Sequence, residues 1–222
     1  MEQSEAVVLS SIDVGLDRER VLDQPPFSKW LESPSGAAIE ESVDRLREAV
    51  LERVTPRGCF AIRPLAETGI EAADPPQGLL AGSHVGLGVL TLGSRGPPEP
   101  LPSKIDPVVW DALENVALQD ARTTLLEHLL ATADRAGFNT TRVYAPGTEI
   151  GGWPLSRRQF VFDSLPLDRI DLVVRNGRPD PEKTLTFAIG LGQEIEQAEV
   201  LLSCGDCGRI STCPYAGGKT LA

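Results

Sequence analysis

Apolar and polar positions along this chain fall into blocks whose period changes from segment to segment. A short apolar run at 6–9 predicts an opening strand, and Asp23-Gln24-Pro25-Pro26 after it excludes a continuous helix, because proline lacks the amide that a helix interior uses. Over 37–54, Ile39, Val43, Leu46, Val50, Leu51 and Val54 recur three or four apart with charged residues between them. That spacing predicts an amphipathic helix, stopped by Pro56 and Gly58. Cys59-Phe60-Ala61-Ile62 predicts a strand, 67–78 a polar loop, and 84–92 a second strand alternating around Val85, Leu87, Val89 and Thr91, weakened by Gly86 and Gly88. Five prolines within 94–107 exclude helix and make that stretch a stiff connector or a lid. The strongest helix covers 108–136, where Val109, Leu113, Val116, Ala117, Leu125, Leu129 and Ala133 keep helical spacing and Gly137 supplies the cap. Beyond it the pattern predicts a strand at 141–144, a turn at Pro146-Gly147, a helix at 155–164, strands at 170–174 and 185–189, and a last helical patch at 194–202. Mixed strands and helices in this order predict an α+β fold.

A length of 222 residues suits one domain with excursions, and 41% hydrophobic with 24% charged residues is ordinary globular material. The 21 glycines and 18 prolines add many stiff turns, so the fold is loop-rich. A net charge of −11 with no lysine-rich run repels phosphate backbones and argues against nucleic acid as a partner. The longest weakly polar stretch, 78–93, falls short of the roughly 20 apolar residues of a bilayer helix, so no membrane is expected. The first residues lack the basic start and long apolar run of a signal peptide, which predicts a cytoplasmic protein with reduced thiols.

Chemistry-bearing residues concentrate late in the chain. Cys204, Cys207 and Cys213 form C-x2-C-x5-C, in which two thiolates can grip one metal from a tight turn while a third closes over it. An iron–sulfur cluster or zinc commonly takes four cysteines, so Cys59, an outside ligand or a second chain would complete the set. A redox dithiol and plain reduced thiols remain open beside the metal. His128 stands alone on the long helix and reads as a surface residue; with two histidines and no Gly-x-Ser-x-Gly elbow, a Ser-His-Asp hydrolase has no support. Tyr144-Ala145-Pro146-Gly147 followed by Gly151-Gly152-Trp153-Pro154-Leu155 puts a sharp, backbone-exposing path between strand and helix. Such a path suits a small-molecule site, or equally a tight connector pinned to the core by Trp153.

Five stretches, in order, carry a resemblance: Leu51-Glu52-Arg53-Val54-Thr55-Pro56-Arg57, Val89-Leu90-Thr91-Leu92-Gly93, Asp111-Ala112-Leu113, Pro146-Gly147 to Trp153-Pro154-Leu155, and the cysteine tail with Cys213-Pro214-Tyr215. Together they resemble the S-adenosylmethionine-binding activation domain of cobalamin-dependent methionine synthase in a free-standing form. The resemblance implies a curved antiparallel sheet flanked by helices over 1–202, followed by a cysteine-containing C-terminal tail at 203–222. It implies a role in the reductive methylation of a corrinoid on a partner protein. An electron donor such as flavodoxin or ferredoxin would reduce the cobalamin, and S-adenosylmethionine would give the methyl group. The partner would be a corrinoid protein or the other methionine synthase modules.

In that family an Arg-x-x-x-Gly-Tyr motif binds S-adenosylmethionine, and here the segment reads Arg142-Val143-Tyr144-Ala145-Pro146-Gly147-Thr148. Val143 falls at the arginine position with Arg142 one residue earlier, on the opposite face of a regular strand unless a bulge intervenes. The resemblance thus implicates Arg142, Tyr144, Ala145 and Gly147, and either Arg142 or Arg175 would supply the cation that the ligand carboxylate needs. Asp111, Glu149 or an open carbonyl would accept from its amino group. The alternative is a cysteine-liganded metal or electron-transfer module that docks on a corrinoid protein and no longer binds S-adenosylmethionine.

Overall fold

The computed structural model describes residues 5–24, 27–148 and 152–198. Its elements are β1 (Val7–Leu9), α1 (Arg18–Leu22), α2 (Phe27–Trp30), α3 (Gly36–Leu51), β2 (Arg57–Pro64), α4 (Leu65–Thr68), β3 (His84–Thr91), α5 (Asp106–Arg135), β4 (Asn139–Tyr144), α6 (Arg158–Asp163), β5 (Val173–Arg175), β6 (Arg178–Asp180) and β7 (Thr184–Gly192). The fold is α+β. One five-stranded sheet runs in the order β1-β2-β3-β7-β4 with every neighbouring pair antiparallel, and β5 and β6 form a separate ribbon.

Two apolar layers sandwich the sheet. On one face Ile39, Val43, Leu46 and Val50 of α3 and Val109, Leu113, Val116 and Leu125 of α5 bury their stripe against Phe60, Leu90, Val143 and Ile189. On the other, Cys59, Val85, Leu87, Val89, Tyr144 and Ala188 pack under Ile70, Leu79, Trp153, Val161, Phe162 and Ile170, which come from short helices and turns. β3 and β7 are central and covered on both sides, so they read as nearly continuous apolar runs. Gly88 does not weaken β3 there: a Cβ would lie 2.1 Å from the Phe187 ring, so the glycine makes room for a core aromatic.

α5 is as long as its spacing predicts. Pro107 sits in its first turn, where a missing amide costs nothing. At its end Gly137 adopts φ 75°, and its amide and that of Phe138 donate to the carbonyls of Asp134 and Ala133, closing the last turn.

Other expectations are corrected. Residues 194–198 are not helical but bend and irregular chain, held to Asn139 and Thr140 of β4 by hydrogen bonds; 199–202 lie outside the described residues. The helix expected over 155–164 is a 3-10 turn at Leu155–Arg157 followed by α6. In place of one strand at 170–174 there is a 3-10 turn, Leu167–Ile170, and then the β5–β6 hairpin. Asn176 (φ 52°) and Gly177 (φ 74°) form its two-residue turn, the left-handed pair whose twist matches flanking strands.

The start of α5 carries a buried charge. Asp106 is 0% exposed; it accepts from Arg45 Nη2 (2.6 Å), Ser42 Oγ (2.9 Å) and the Ser103 amide (2.9 Å), tying α3 to α5. Burial alone would raise this carboxyl, but Arg45, the Ser103 amide and the Ser42 hydroxyl together outweigh it and hold the group below the usual carboxylate range. Its contribution is therefore fully present above the unfolded value of about 3.9 and is lost as pH falls through the lower folded value. Arg45→Met is expected to cost about 2 kcal/mol at neutral pH and to move the acid unfolding midpoint upward. Urea titrations from pH 7 to pH 3 measure both, and an unmoved acid midpoint would remove Arg45 from this account.

Candidate functional site

β4 does not pair evenly with β7. Thr140 faces Leu191 and Val143 faces Ile189, so Thr141 and Arg142 together oppose Gly190 alone. This is a bulge, with one extra residue on the outer strand. Its chemistry is local. The Gly190 amide donates to Thr141 Oγ1 (2.9 Å), and that hydroxyl donates to the Arg142 carbonyl (2.9 Å), so one side chain replaces the ladder bonds that the bulge removes. A Cβ at Gly190 would lie 2.7 Å from the Leu79 carbonyl oxygen and 2.9 Å from Thr141 Cγ2, so the close approach depends on glycine.

The bulge decides which side chains share a face. Val143 is fully buried in the helix-side layer, whereas Thr141, Arg142 and Tyr144 all line a groove on the opposite side. The groove has a volume of about 600 Å³, within the range of small-molecule sites. Gly78 and Ala81 form one wall, and Ile195, Glu196 and Ala198, beyond the end of β7, form the other. Tyr144 is 7% exposed, and its hydroxyl lies over Gly78, where a Cβ would approach it to 2.1 Å.

The far wall is a strap along the outer edge of β4. Gln197 Oε1 accepts from the Thr140 amide (2.9 Å), and its Nε2 donates to Thr140 Oγ1 (2.8 Å). The Ala198 amide donates to the Thr140 carbonyl (2.9 Å), and Asn139 Nδ2 donates to the Ile195 carbonyl (2.9 Å). Residues 195–198 are thus tied to the start of β4 through Asn139 and Thr140, without helix, although the acidic and apolar spacing near 194–202 mimics one.

Next to the groove, Ala145 to Thr148 form a tight turn. Pro146 is its second residue and Gly147 its third, with φ 87°, the left-handed conformation that such a turn assigns to glycine. The Thr148 amide and hydroxyl both donate to the Ala145 carbonyl, and the Gly147 amide donates to the Trp153 carbonyl (2.8 Å). Trp153 is 1% exposed, and its Nε1 donates to the Ala73 carbonyl (3.0 Å). The pinning role of Trp153 is therefore observed; the turn it holds follows Tyr144 directly in the chain, but Ala145 and Gly147 are not among the residues lining the groove.

The remaining candidates are placed elsewhere. Asp111 accepts from Lys183 Nζ, which also reaches Asn115 Oδ1 (2.8 Å). Lys183 precedes β7, whereas the groove is at Gly190, seven residues on, or about 24 Å along the strand. Asp111 and Arg142 are thus not brought together. Arg175 is exposed at the tip of the β5–β6 hairpin and is not among the residues lining the groove. Glu149 lies outside the described residues, as do Cys204, Cys207 and Cys213.

Cys59 is 0% exposed within the second apolar layer, and burial pushes its thiol up to about 12. That environment keeps it protonated in the metal-free chain, and the three cysteines that would share a metal with it lie outside the described residues. Among the described residues no group of three or more His, Cys, Asp and Glu side chains could hold a metal ion. His128 is exposed, as its isolation on the helix predicts. No helix among the described residues is long and apolar enough to cross a membrane. Compared with known proteins, the chain matches no protein-family model and no curated protein.

Among the described residues, six that line the groove were not legible as such. Thr141 sits beside the motif, whereas Gly78, Ala81, Ile195, Glu196 and Ala198 lie far from it in sequence, and only the antiparallel return of β7 and the strap bring the last three to the groove.

Proposed function

We propose that this chain binds S-adenosylmethionine in the groove beside β4 and supports the reductive methylation of a corrinoid held by a partner protein. The observation that carries this reading is that Arg142 and Tyr144 share one groove of about 600 Å³ next to the Gly147 turn. The residues present fit the ligand. Arg142 brings the cation that an amino-acid carboxylate needs, and the Tyr144 ring brings an apolar wall for the adenosyl portion. Gly78 leaves the Tyr144 hydroxyl its place in the groove wall. The chain's charge of −11 draws a ligand whose sulfonium makes it a net cation. Bound there, S-adenosylmethionine supplies a methyl group for the corrinoid once a donor of the flavodoxin or ferredoxin type has reduced it. The protein's own part is to hold the ligand by its amino-acid end and keep the methyl-bearing end open to the partner.

Calorimetric titration of S-adenosylmethionine into the 222-residue chain, purified without oxygen, tests this reading. Saturable binding is expected, and Arg142→Ala should weaken it by about 1.5–3 kcal/mol, the range for a lost charge-assisted contact. An unchanged affinity would remove Arg142 from the site. A folded protein that binds no S-adenosylmethionine would overturn the reading and turn attention to the cysteine tail as a metal or electron-transfer module.

A further inference from the structure

We infer that Glu196 reads the ammonium group of the bound ligand, so that the groove grips the zwitterionic head of an α-amino acid between Arg142 and Glu196. This rests on the reading of the groove as an S-adenosylmethionine site and adds the residue that recognises the other half of the amino-acid group. An α-amino acid presents a carboxylate and an ammonium on one carbon, so a site that recognises both needs a cation and an anion close together. Arg142 and Glu196 line the same groove, one from β4 and the other from the strap. Asp111, the acceptor that the sequence suggests, is engaged with Lys183 and Asn115 at the far end of β7.

The backbone of Glu196 is held from both sides. The Ile195 carbonyl accepts from Asn139 Nδ2, and the Gln197 side chain makes a paired bond with the amide and hydroxyl of Thr140. Thr140 immediately precedes the bulge residues Thr141 and Arg142, so the two charged side chains are referred to the same turn of β4. Gln197 is thus a positioning residue, and Glu196 is the contact.

Three probes separate the contributions. S-adenosylmethionine carries the carboxylate, the ammonium and the sulfonium; S-adenosylhomocysteine keeps the first two and loses the sulfonium charge; 5′-methylthioadenosine has none of the three. Glu196→Gln should weaken S-adenosylmethionine and S-adenosylhomocysteine alike, each by about tenfold or more, and leave 5′-methylthioadenosine unchanged. Glu196 is exposed, so the variant keeps its fold, and an unaltered urea midpoint checks this. Loss for S-adenosylmethionine alone would overturn the inference in favour of sulfonium recognition, and no loss for either would overturn it outright. Wild-type protein that binds neither ligand would defeat the underlying reading instead, an outcome distinct from both.

Discussion

Trp153→Ala is expected to lower the stability of the folded protein by about 3–5 kcal/mol, the usual range for removing a fully buried tryptophan. The side chain is 1% exposed, in the layer built from Ile70, Leu79, Val161 and Phe162, so its loss leaves a cavity that the short surrounding turns cannot close together. It also strands the Ala73 carbonyl, which accepts from Nε1 at 3.0 Å. Trp153→Phe divides the two contributions: it keeps most of the packing and loses the hydrogen bond, so it should cost about 1–3 kcal/mol. Urea denaturation of both variants gives the comparison. Equal losses would mean that the hydrogen bond, not the ring, fixes the turn beside the groove. On the proposed reading, the alanine variant should also bind S-adenosylmethionine more weakly, because the indole holds in place the residue-153 backbone whose carbonyl anchors the Gly147 amide.

A second substitution reaches the site through one hydroxyl. Thr141→Val keeps the shape of the side chain and removes the oxygen that accepts from the Gly190 amide and donates to the Arg142 carbonyl. Each group left without a partner costs roughly 1–3 kcal/mol where water cannot replace it, and the Arg142 end is partly solvated, so the expected loss is about 2–4 kcal/mol. The Gly190 amide should also lose protection against hydrogen exchange ahead of its neighbours on β7. A loss below about 1 kcal/mol with protection intact would show that the bulge is held by the strands and not by Thr141.

The parts of the fold that depend on local period were legible. Ile39 to Val50 and Val109 to Ala133 keep helical spacing because each helix buries one stripe, and the structure puts those residues in the core. The hairpin at Asn176-Gly177 was not legible, because its flanking strands are three residues each and give no alternation to flag them. α1 was hidden because its five residues carry only two buried positions, Val21 and Leu22, too few to show a period.

Residues 194–198 mislead for a different reason. Their conformation is set by Thr140 and Asn139, more than fifty positions away, and no local pattern encodes that pairing. The groove divides in the same way. Arg142 and Tyr144 belong to one contiguous stretch and could be singled out, whereas Asp111 enters through the resemblance, and its ion pair with Lys183 is invisible in the sequence.

The strap has a consequence for how copies of this protein meet. An outermost strand offers a row of amides and carbonyls on which another chain can build, and a sheet with such a margin tends to extend from one molecule into the next. At Thr140 both backbone groups are already taken, by Gln197 and Ala198 of the same chain. Over Thr140, residues 195–198 are therefore a selvage: at that point of the margin they finish the cloth and leave no open pair of backbone groups for a neighbour.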